Sequence, residues 1–94
     1  MHLTTTPNGT GQLQVTIAVS GAGNSLQTLR FGTTTNARIE ASGQSASGSF
    51  TLSLAPGTQQ TTFTVTRLTA GQPVTVNLVV VDVCGDWPTV VGAG

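Results

Sequence analysis

Apolar side chains recur at every second position along most of the chain. Leu13, Val15, Ile17 and Val19 alternate with Gln12, Gln14, Thr16 and Ala18, the pattern of a strand with one buried face. Gly21-Ala22-Gly23-Asn24 ends that strand. Leu29 and Phe31 share a face of a second strand. Leu26 has the wrong parity for that face, which predicts a bulge or bend near Gln27. Gly32 through Asn36 reads as a polar turn. Ala37, Ile39 and Ala41 then alternate with Arg38 and Glu40 in a short third strand, and Ser42 to Gly48 reads as a mobile loop of small residues. Phe50, Leu52 and Leu54 mark a fourth strand stopped by Pro56-Gly57, and Thr61, Phe63 and Val65 a fifth.

Beyond the turn Ala70-Gly71-Gln72-Pro73, the segment Val74 to Val83 changes character midway. Val74, Val76, Leu78 and Val80 supply one face, while Val79, Val81 and Val83 add an apolar opposite face. That end must be covered on both sides, and the tail Trp87-Pro88-Thr89-Val90-Val91 is the nearest cover, as a seventh strand. No segment carries apolar residues at helical spacing over three turns. Six or seven short strands separated by turn signals predict one all-β domain over residues 1–94, an antiparallel sandwich with a small barrel as its rival. Residues 1–10 read as a flexible lead-in and 84–94 as a closing segment.

Composition narrows the functional classes. The 94 residues hold three Lys+Arg and three Asp+Glu, for a formal net charge of zero, and every cation is an arginine: Arg30, Arg38 and Arg67. No basic stripe can be assembled, so neither nucleic acid nor an anionic membrane surface is an expected partner. The longest apolar run, Leu78 to Val81, is too short to enter a bilayer. Solubility falls to threonine, the commonest residue, whose β-branched side chain also favours strands. The start, Met1 to Thr6, has neither the basic nor the apolar region of an export leader, so a secreted parent would make this chain an excised piece.

The chemistry of catalysis is missing from the sequence. The only histidine is His2, lysine and tyrosine are absent, and no base stands ready to activate a serine or threonine. No catalytic residue, no cofactor and no enzymatic activity is expected. Glu40 reads as a solvated strand charge beside Arg38. Asp82 and Asp86 read as a strand-end acid and a turn former, with Asp86 accepting a backbone N–H. The sharper alternative makes Asp82 and Asp86 calcium ligands, two carboxylates where calcium takes six or more oxygens. Cys84 is the single cysteine, expected as a small buried hydrophobe rather than a nucleophile or an intermolecular link. Asn8-Gly9-Thr10 matches a glycosylation acceptor but reads as a turn. Phe31, Phe50 and Phe63 have core parity, which leaves Trp87 as the one aromatic that could stack on a sugar. Its alternative is a buried plug over the end of the sandwich.

The stretch Val80-Val81-Asp82-Val83-Cys84-Gly85-Asp86-Trp87-Pro88-Thr89-Val90-Val91-Gly92 resembles a motif of the form D-x-C-G-x-W-P-T. That motif closes an immunoglobulin-like or fibronectin-III-like β-sandwich domain at the C-terminal end of large secreted bacterial proteins. Pro56 to Arg67 and Ala70 to Pro73 look like the same family's middle strands. The resemblance implies an extracellular or cell-surface location beside neighbouring domains of a parent protein, and no catalytic residues. The expected role is a non-enzymatic accessory or spacer module. The alternatives are a carbohydrate-binding module appended to a secreted hydrolase, with polysaccharide as the partner, and a self-associating or adhesive domain.

Overall fold

Alternation at period two becomes strand pairing wherever it occurs. The computed structural model describes residues 2–7, 9, 11–41, 44–46 and 49–93. Among them run β1 (His2–Pro7), β2 (Gln12–Ala18), β3 (Leu26–Thr35), β4 (Ala37–Ala41), β5 (Gln44–Ala46), β6 (Phe50–Ser53), β7 (Gln60–Arg67), β8 (Val74–Asp82) and β9 (Gly85–Ala93). They form two antiparallel sheets, ordered β1-β2-β7-β4-β5 and β6-β3-β8-β9. The sheets pack face to face as a β-sandwich. No pairing among the described residues joins one sheet to the other, so the barrel alternative does not form.

The inward positions are those that the alternation marks. Val15 and Ile17 of β2, Ile39 of β4 and Val65 of β7 face Leu29 of β3 and Val80 of β8, all at most 1% exposed. Phe31 is the hinge of the aromatic packing, stacked on Phe50 at 4.6 Å and edge-on to Phe63 at 5.0 Å between ring centroids. Those are the favoured geometries of aromatic pairs.

Two strands were not expected. Residues of the supposed lead-in form β1, paired with β2 from His2↔Ala18 to Pro7↔Leu13. Leu3 is the one apolar side chain of this strand that packs against the core, so periodicity had nothing to act on. Its run of threonines nevertheless favours extended backbone. The expected loop at Ser42–Gly48 contains β5, a short addition to the edge at β4; the rest of that loop lies outside the described residues, as do Asn8 and Thr10 of the acceptor triplet.

β3 carries a register shift between Leu26 and Thr28, at the expected bulge. A second shift lies between Phe31 and Thr34. β3 therefore continues through Gly32 to Thr35, where the sequence predicts a turn. The reversal is made by Asn36 alone, at φ 55°. Its Oδ1 accepts the Thr69 backbone N–H at 2.7 Å, and its Nδ2 donates to the carbonyls of Thr69 and Gln72. One side chain thus fastens the β7–β8 loop to the β3–β4 corner.

Candidate functional site

The stretch that carries the motif folds as the β8–β9 hairpin, in continuous register from Val74↔Ala93 to Asp82↔Gly85. Its closed end is organised by Asp82, which is 3% exposed and the only buried charged side chain among the described residues. One carboxylate oxygen, Oδ1, accepts the backbone N–H of Cys84 at 2.8 Å and of Gly85 at 3.0 Å. A carboxylate doing this replaces a missing ladder bond and fixes the reversal. Gly85 takes φ 145°, a conformation that side-chain-bearing residues rarely adopt. Burial raises the Asp82 carboxyl's pKa. The Trp87 indole and the N–H groups of Cys84 and Gly85 bond the ionised form and outweigh burial, holding the group below its ordinary value of 3.8.

The roles expected of the two acids are therefore exchanged. Asp82, not Asp86, accepts the turn's backbone N–H groups. Asp86 pairs in register with Val81 and so lies on the opposite, outer face, where it meets Arg30 Nη2 at 2.9 Å. Asp82 and Asp86, the two acids expected as calcium ligands, point to opposite faces of one sheet and are not brought together. No three His, Cys, Asp or Glu side chains gather as a metal site among the described residues.

Trp87 is not a buried plug. It pairs with Val80, so its parity is inward, but β9 is the last strand of its sheet and the residue is 44% exposed. The indole N–H is engaged with Asp82 and part of the ring faces solvent. Cys84, expected as a small buried hydrophobe, is instead exposed at the hairpin tip. The tip itself is docked by the Val83 N–H, which donates to the Ser25 carbonyl at 3.2 Å.

The tail also covers β8 differently from expectation. It lies beside β8 as a sheet neighbour rather than over its apolar outer face. Arg30 sits in register with Val79, and its guanidinium reaches Asp86 beside Val81. Its aliphatic stem therefore crosses β8 and shields the outward Val79 and Val81, which are half-buried. Beyond them the face stays open. A shallow cleft of about 520 Å³ lies there, floored by Gly32 and walled by Asn77, Val79, Pro88 and Val90, and Val90 is 65% exposed.

The remaining polar groups are dispersed. His2 lies on the β1 edge, Arg38 donates to Ser45 Oγ at 2.8 Å, and Glu40 accepts from Thr66 Oγ1 at 3.4 Å. Arg38 and Glu40 are exposed on the outer side of β4, as their parity predicts. The Arg30–Asp86 pair was not legible in the sequence because its partners lie on strands brought together only through β8. No family model, no curated protein and no solved structure matches this chain.

Proposed function

We propose that the chain is a non-enzymatic accessory module of a larger extracellular or cell-surface bacterial protein, spacing or attaching neighbouring domains. The observation that carries this reading is how the motif's chemistry is consumed. Asp82 closes a turn, Gly85 supplies its conformation, Trp87 bonds Asp82, and Asp86 pairs with Arg30. Both acids of the hairpin thus have structural partners, and no base stands beside the exposed Cys84 to activate it among the described residues.

The immunoglobulin-like framework belongs to the same proposal. Its support is connectivity: the order β1-β2-β7-β4 against β3-β8-β9 parallels the A-B-E-D and C-F-G sheets of that fold, with β5 and β6 as additions at the edges. The resemblance of Asp82 to Gly92 to the closing motif of secreted bacterial domains supports the location. So does a surface made soluble by threonine rather than by charge.

A carbohydrate-binding module is the second reading, and the exposure of Trp87 favours it. A half-exposed indole on an edge strand can offer one ring face to a sugar. Retention on a panel of insoluble polysaccharides, with Trp87→Ala as control, separates the two. The accessory reading expects no retention. Binding to one polymer that disappears in the variant would replace it with the carbohydrate reading.

A further inference from the structure

We draw no further inference here: the strongest candidate, the shallow apolar cleft on the outer face of the β6-β3-β8-β9 sheet between Val79, Pro88 and Val90, carries none, because the Arg30 beside it is already paired with Asp86 and nothing in the structure shows what covers it.

Discussion

Asp82 Oδ1 accepts the backbone N–H of Gly85 at 3.0 Å, joining the last residue of β8 to the first of the edge strand β9 across their hairpin. The same carboxylate holds the two backbone N–H groups of the turn. The buried acid is thus fully committed to closing the sandwich at this end. Its ionised form is the one those donors favour, and acid sensitivity follows from that.

Because the Asp82 carboxyl titrates lower in the folded chain than in the unfolded one, its contribution is complete above the unfolded value and is lost as pH falls through the folded value. Chemical denaturation midpoints are therefore expected to be flat from neutrality to about pH 5 and to drop below about pH 4. Asp82→Asn should lower stability at neutral pH and flatten the acid limb. An acid limb as steep in Asp82→Asn as in the wild type would show that Asp82 is not its source.

Trp87→Ala should destabilise by about 1–2 kcal/mol, less than the loss of a fully buried ring, because only part of the indole leaves water and one hydrogen bond is removed. Trp87 is the only tryptophan, so intrinsic emission reports on it directly. A partly solvent-exposed emission maximum in the folded chain is expected, with a further red shift on unfolding.

Asn36 both occupies a left-handed conformation and fastens the β7–β8 loop. Asn36→Gly keeps the backbone geometry and loses the bonds, at about 1 kcal/mol. Asn36→Ala loses the bonds and adds the steric cost of positive φ, for about 2–3 kcal/mol. Urea melts that rank glycine above alanine would verify the two contributions separately.

Leu29 is fully buried and pairs with Leu52 on one side and Val80 on the other. Leu29→Ala should cost about 2–5 kcal/mol. Arg30→Ala, one strand position away but facing solvent, removes an exposed ion pair worth less than about 1 kcal/mol. Thermal melts of the two variants at dilute concentration should differ accordingly.

The strands whose alternation marks a buried face were legible along the chain: β2, β3, β4, β6, β7 and β8 follow the parity of their apolar residues, while β9 was expected only as a cover for β8. The sequence also located the Gln27 bulge, since one residue out of phase can be absorbed in no other way while both flanks stay buried. Other features depend on how the strands assemble, which local pattern does not encode. β1 and β5 exist because a sheet edge was available to pair with, and their side chains carry almost no alternation. Trp87 has inward parity and yet is half in water, because exposure depends on whether another strand lies beyond β9. Asp82 and Asp86 read as a pair along the chain, but pleating sends them to opposite faces, one to the turn and one to Arg30. Parity is written in the chain; which strand is an edge, and which residue lies across from which, follows from how the strands among the described residues divide between two sheets.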